Sequence, residues 1–142
     1  MAEDSKTYEM RPIGFLHTDA ETVPRHYSIS DVEGKIVVDR VYQDGLRDIK
    51  AGDRIAVLFV FDRSPAFVPA IHLIQRPPVT GRLTGVFSIC SPVRPNPIGL
   101  SVLTVTAKDE NILSVKGIDM LDGTPILDIK PHRHQAAKNG HA

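Results

Sequence analysis

The sequence predicts an all-β fold: a small β-barrel or a strongly curved antiparallel sheet of about six to seven strands, with little helix. Three observations carry this. Val and Ile together number 27, against 20 for Ala and Leu, and β-branched side chains suit a pleated surface better than a helix. The apolar runs are short and bounded by Gly, Pro, Asp and Asn, the residues of tight turns. No stretch shows the sustained three-and-four spacing of a long amphipathic helix.

The elements follow in order. Met1 to Lys6 is polar and reads as a loose start. Tyr8 to His17 reads as a strand that opens or bulges at Gly14, and Asp19 to Asp31, without a clean period, as an ordered loop. Lys35 to Tyr42 is a strand ending in the turn signal Gln43-Asp44-Gly45. After a second turn at Ala51-Gly52-Asp53, the unbroken apolar run Ile55 to Phe61 reads as a strand covered on both faces. Arg63 to Pro69 is a loop, and Ile71 to Ile74 a short apolar segment closed by Arg76-Pro77-Pro78. Arg82 to Ile89 reads as a strand. Cys90 to Pro97 holds three prolines, which excludes an interior helix or a central strand. Ile98 to Ala107 alternates, with Ser101, Leu103 and Val105 on one face. It turns at Asp109-Glu110-Asn111 and returns over Ile112 to Ile118 as a hairpin. Asp122-Gly123 is a further turn, Ile126 to Ile129 a last short strand, and from Pro131 onward a polar tail is expected. The domain reading is one barrel over 8–132 and a polar tail over 133–142.

Composition limits the function classes. The 142 residues hold one domain, and 42% apolar against 24% charged residues suffices for a core. Seventeen basic residues balance seventeen acidic ones, which excludes a generic basic nucleic-acid coat but not a local basic patch. A single cysteine excludes a disulfide framework. No apolar run has the length of a membrane span and no signal-peptide pattern opens the chain, so a cytoplasmic protein with no membrane or DNA partner is expected. The glycine fingerprint of dinucleotide sites, the phosphate-binding loop, the Cys-x-x-Cys pair and the nucleophile elbow are all missing. The six histidines have no standard zinc spacing.

Two segments stand out. In Ser91-Pro92-Val93-Arg94-Pro95-Asn96-Pro97-Ile98-Gly99 the prolines stiffen the backbone, remove N–H donors and leave carbonyl acceptors free. Arg94 and Asn96 on such a loop suit recognition of an anion and a base edge; a stiffened crossover in which Asn96 caps its own turn is the plainer alternative. In Asp119-Met120-Leu121-Asp122-Gly123-Thr124-Pro125-Ile126-Leu127-Asp128-Ile129-Lys130-Pro131, turn chemistry accounts for Asp122-Gly123. Asp128 sits between apolar neighbours, where it either pairs with Lys130 on the same strand face or faces a pocket as an acceptor.

Together these segments resemble the TrmO/TsaA-like family. Gly85-Val86-Phe87-Ser88 and the run from Ser91 through Pro97 to Ser101 are similar to its central motif. Asp119 to Pro125 with Asp128-Ile129-Lys130-Pro131 is similar to its second motif, and Ile13-Gly14 and Pro24-Arg25 to its opening strand and first cofactor loop. The resemblance implies a small-barrel methyltransferase that uses S-adenosylmethionine, works as a homodimer with the cofactor near the subunit boundary, and methylates N6 of threonylcarbamoyladenosine beside the tRNA anticodon. It implies cofactor-binding roles for Arg25, His26, Arg94, Pro95, Pro97, Asp122, Gly123, Thr124 and Lys130, with Gly99 and Pro125 as further motif positions. Asn96, Asp128 and Asp119 are the implied catalytic residues. Asn96 Oδ1 and the carbonyls of the Pro95–Pro97 loop would accept the amine protons, and Asp128 or Asp119 would take the proton released. Arg25 or Arg94 would hold the methionyl carboxylate or an RNA phosphate.

Three positions depart from the family pattern: His26 where Gln is usual, Cys90 where Arg precedes Ser-Pro, and His132 where Tyr ends the last motif. All three are metal-ligand types. With His134 close behind His132 they define an alternative, a metal- or thiol-dependent binding or sensing derivative of the same barrel. A methyltransferase acting on a different small substrate is the other alternative, which zero net charge favours.

Overall fold

The computed structural model describes residues 6–132; residues 1–5 and the expected tail at 133–142, His134 included, lie outside that range. The strands in chain order are β1 (Gly14–His17), β2 (Glu33–Val38), β3 (Arg54–Val60), β4 (Ile74–Gln75), β5 (Thr84–Gly85), β6 (Ile98–Asp109), β7 (Ile112–Lys116) and β8 (Pro125–Pro131), with one short helix, α1 (Pro69–His72). Six of them close into an antiparallel barrel in the order β1-β2-β7-β6-β3-β8, and β4 pairs with β5 in a small separate sheet. The expected all-β barrel is the fold. Closure leaves its six strands without a free edge.

Period-two alternation builds the core. Ile36 and Val38 of β2, Ile55, Val57 and Phe59 of β3, Leu103 and Val105 of β6, and Leu113 and Val115 of β7 all point inward. They join Leu16, Ile118, Met120 and Ile126 in a single cluster. Ser101 occupies the inward position of β6 just ahead of Leu103 and is fully buried. The β6–β7 hairpin turns where the sequence indicates, with Glu110 at φ 56°. Buried Asn111 donates from Nδ2 to the Val38 carbonyl at 2.8 Å, which ties the turn to β2.

Several boundaries differ from the sequence reading, each for a physical reason. Gly14 is no bulge: it pairs with Val38 on one side and Ile126 on the other. The second strand ends at Val38. Tyr42 N–H then bonds the Asp39 carbonyl, and Arg40–Leu46 winds into a 3₁₀ helix anchored by buried Leu46. β3 is covered on one face only, because a closed barrel has one interior; Ala56, Leu58 and Val60 are half-buried. Arg82 to Ile89 yields only two strand residues and a 3₁₀ turn, since β4 offers a two-residue ladder. β8 runs on through Pro131, which pairs with Ile55, so any tail begins later than the sequence suggests. Among the described residues no helix is long and apolar enough to cross a membrane.

The core account makes a direct prediction. Leu103→Ala should cost about 2–5 kcal/mol of unfolding free energy in urea titrations, and Val41→Ala, at an 82% exposed position, less than about 0.5 kcal/mol. Equal costs would contradict this placement of the core.

Candidate active site

The chain between β7 and β8 defines the site. Gly117 and Ile118 donate their N–H groups to the Val32 carbonyl, and Ile118 and Met120 enter the core. Asp119, between them, is half-buried and lines a cleft. Asp119 Oδ1 accepts a short hydrogen bond from the hydroxyl of buried Ser101. Burial raises the Asp119 carboxyl above the ordinary carboxylate value. The Ser101 hydroxyl, the backbone N–H groups of Asp119 and Tyr27, and the His26 charge pull it back.

The loop before β2 forms the opposite wall. His26 caps the 3₁₀ turn Tyr27–Ile29, its Nδ1 accepting from Ser28 N–H at 3.2 Å, and its ring stacks on Tyr27 with centroids 4.3 Å apart. Ser30 Oγ donates to the Ile118 carbonyl at 2.5 Å, which fixes this turn beside Asp119. The cleft encloses about 560 Å³ between Arg25, Phe59, Phe61, Arg63, Pro92 and Asp119, well within the roughly 300–1,000 Å³ of small-molecule sites. A second cleft of about 430 Å³ adjoins it and holds His26, Gln75, Arg76, Cys90 and Ser91; Arg25 and Pro92 belong to both.

Phe59 and Phe61 meet edge to face with centroids 5.1 Å apart. Gly99 makes this possible. A β-carbon there would overlap the Phe59 ring and lie 2.8 Å from Phe61 Cζ.

The expected site residues divide into two sets. Arg25, Thr124 and Asp119 line the larger cleft, and Arg25 and His26 the smaller. Arg94 lines neither: its Nη1 donates to the carbonyls of Ile89 and Ser91 at 3.0 and 3.1 Å, stapling its own loop. Pro95, Asn96 and Pro97 are exposed and line neither cleft. The Asn96 carbonyl accepts from Ile98 N–H and the Pro97 carbonyl from Phe61 N–H. The Asp122 carboxylate accepts from Thr18 N–H at 3.0 Å and lies 3.6 Å from His17 Nδ1, in a groove away from Asp119. Gly123 takes the left-handed backbone of that turn at φ 86°. Asp128 meets Lys130 at 2.8 Å on one face of β8, so the same-face ion pair is what forms, and Asp128 lines neither cleft. Lys130 and His132 lie in a groove at the far end of β8.

This geometry corrects the metal alternative. His26 and Cys90 share the smaller cleft. His132 lies beyond the end of the seven-residue strand β8, roughly 20 Å from its start at about 3.3 Å per residue. No cluster of three or more metal-ligating side chains exists among the described residues. Cys90 is exposed.

Ser101, Phe59, Phe61 and Arg63 were not among the expected site residues. The sequence signal for Ser101 was a hydroxyl in phase with Leu103 and Val105 on the inward face.

The fold is a closed six-stranded antiparallel barrel with an acid–arginine cleft, distinct from a dinucleotide-binding α/β domain. The chain belongs to the tRNA-methyltransferase O N-terminal domain family, whose profile matches residues 13–137. It is 37% identical over 126 residues to a probable S-adenosyl-L-methionine-binding protein of Pyrococcus abyssi, covering 86% of this chain and 66% of that one. It is 37% identical over 129 residues to the human tRNA (adenine(37)-N6)-methyltransferase, covering 85% of this chain and 29% of that one. The crystal structure of TrmO from Pseudomonas aeruginosa superposes with a TM-score of 0.69 at 28% identity, over 90% of this chain and 55% of that one. The chain thus spans about two thirds or less of the length of each of these proteins.

Gly99→Ala should displace the Phe59–Phe61 wall and lower stability by about 1–3 kcal/mol, the usual cost of overpacking. Thermal unfolding and a crystal structure of the variant check this; an unmoved Phe59 ring with unchanged stability would contradict it.

Proposed function

We propose that this chain is an S-adenosylmethionine-dependent methyltransferase acting on N6 of adenine in tRNA, with threonylcarbamoyladenosine beside the anticodon as its target base. The observation that carries the reading is the Asp119 carboxylate at the wall of a cleft bounded by two arginines and an aromatic pair. Family membership supports it, as do the S-adenosylmethionine-binding and adenine-N6-methylating relatives.

The residues present fit such a cofactor. Arg25 and Arg63 can pair with its methionyl carboxylate. Phe61, backed by buried Phe59, offers its ring to a sulfonium or an adenine ring. Glu21 and Asp62 balance positive charge on the same cleft. When bound, the cofactor would supply a methyl group whose bond to a cationic sulfur breaks as its bond to adenine N6 forms, with loss of the N6 proton. The Asp119 carboxylate takes that proton. Burial makes it a stronger base than an exposed carboxylate, which suits the task. The cleft walls would hold the acceptor amine against the activated methyl group, and positioning of that kind can supply roughly 7–11 kcal/mol.

The adjoining cleft extends the site toward a base, and charge supports an RNA partner. Residues 63–108 contain no Asp or Glu, yet they carry Arg63, Arg76, Arg82, Arg94 and Lys108. Net neutrality therefore conceals a basic excursion, of which Arg63 and Arg76 line the two clefts while Lys108 bonds the Leu46 and Arg47 carbonyls toward the far end of β6. The same excursion exposes Ile71, Ile74, Val79, Leu83 and Phe87, the last at 77%. Covering this apolar face with a second copy makes the working form a homodimer. A single exposed thiol, Cys90, suits the reducing cytoplasm.

Asp119→Asn should lower kcat by about 10²–10⁴-fold on threonylcarbamoylated tRNA, with S-adenosylmethionine affinity by calorimetry unchanged. Since the acceptor must be ionised, the wild-type rate should fall as pH drops through the raised Asp119 value; unchanged turnover in the variant would remove Asp119 from the role. In sedimentation, the wild type should run as a dimer and Phe87→Glu as a monomer. A monomeric wild type would refute the second copy.

A further inference from the structure

The barrel wall carries one polar group that packing does not need. Ser101 is fully buried on β6, in phase with Leu103 and Val105, opposite Val57 of β3. Alanine there would satisfy the alternation of the strand without burying a hydroxyl. Buried hydroxyls persist where they have a partner, and the partner of this one is Asp119 Oδ1, eighteen residues along the chain. Ser101 Oγ holds Oδ1 from the barrel wall, and Asp119 itself lines the cleft.

We propose that Ser101 is a positioning residue for methyl transfer, its hydroxyl locking the Asp119 carboxylate in the orientation that takes the proton from the acceptor amine. The proposal rests on the reading of the cleft as the methyl-transfer site. It deepens that reading by assigning the part of the barrel core that serves the chemistry. Oδ1 is held from the wall, which leaves Oδ2 to face the substrate. The same bond favours the ionised form of Asp119, the form that accepts the proton.

Other groups act on this carboxylate. His26 and the Tyr27 N–H face it from the turn before β2. Arg25 and Glu21 share its cleft from the loop, and Asp62 and Arg63 from the segment after β3. Ser101 differs from all of them in being fully buried, so salt screens its contribution least.

The test compares wild type with Ser101→Ala, Ser101→Thr, Asp119→Asn and the Ala–Asn double variant of the full chain. Carbon-13 carboxyl titration by NMR, with Asp119→Asn giving the assignment, should place the Asp119 midpoint higher in Ser101→Ala. The acid limb of kcat should move upward with it. At the pH optimum kcat should fall about tenfold to a hundredfold, as for a displaced reacting group, with S-adenosylmethionine affinity by calorimetry unchanged. Ser101→Thr, which keeps the hydroxyl, should return both readouts toward wild type, and Ser101→Ala should cost nothing further on the Asp119→Asn background. An unmoved midpoint and acid limb would overturn the proposal. So would a threonine variant as impaired as alanine, additive losses in the double variant, or a Ser101→Ala chain that fails to fold, since each marks the hydroxyl as a structural strut. If the wild type neither binds S-adenosylmethionine nor methylates tRNA while the midpoint still moves, the failure lies in the reading of the cleft and not in the Ser101–Asp119 coupling.

Discussion

Because β7 pairs with β2 and β6 while β8 pairs with β1 and β3, the chain between them has to cross the mouth of the barrel. The two strands are third and sixth in a ring of six, on opposite sides. Residues 117–124 make that crossing. Alternation along it sends Ile118 and Met120 into the core and leaves Asp119 between them at the rim, within reach of Ser101. The cleft is thus a consequence of barrel closure. The flanking parts hang on the same crossing: Ser30 fastens the His26–Tyr27 turn to the Ile118 carbonyl, and Arg63 reaches the Asp122 carbonyl.

The carboxylate at the centre is held in tension. Burial disfavours its charge, while one hydroxyl, two backbone N–H groups and a nearby histidine favour it. A group balanced in this way costs the fold something and gives the site a base that an open surface would not supply. Gly99 shows the same exchange in steric form. Its missing side chain is space given to the Phe59 and Phe61 rings that wall the cleft.

Much of the barrel was legible because alternation and turn residues are local signals. The Ile98 to Ala107 strand, its hairpin and the Asp122-Gly123 turn fall where the residues put them. The 82–89 segment misled because β-branched residues read as strand whether or not a ladder partner exists, and here β4 supplies only two residues. At the site, Arg94 looked like an anion fork because an arginine on a proline-rich loop is stiffly placed. The prolines also strip N–H donors from that loop, and its unpaired carbonyls claim the guanidinium. Asp128 had its counter-charge two residues away, on the same face of the strand. Asp119 and Arg25 were nameable from the motif. Ser101 lies within the motif but carries no local signal, because a serine in an alternating strand looks ordinary until the fold shows what crosses above it.

The central claim is that the crossing segment makes the cleft where the activated methyl group and its acceptor meet. A crystal structure with S-adenosylhomocysteine bound tests it most directly. The account predicts the ligand between the Phe59–Phe61 wall and Asp119, with its carboxylate at Arg25 or Arg63 and its sulfur turned toward the smaller cleft. A ligand seated elsewhere, such as the groove of Lys130 and His132 at the other end of β8, would contradict it.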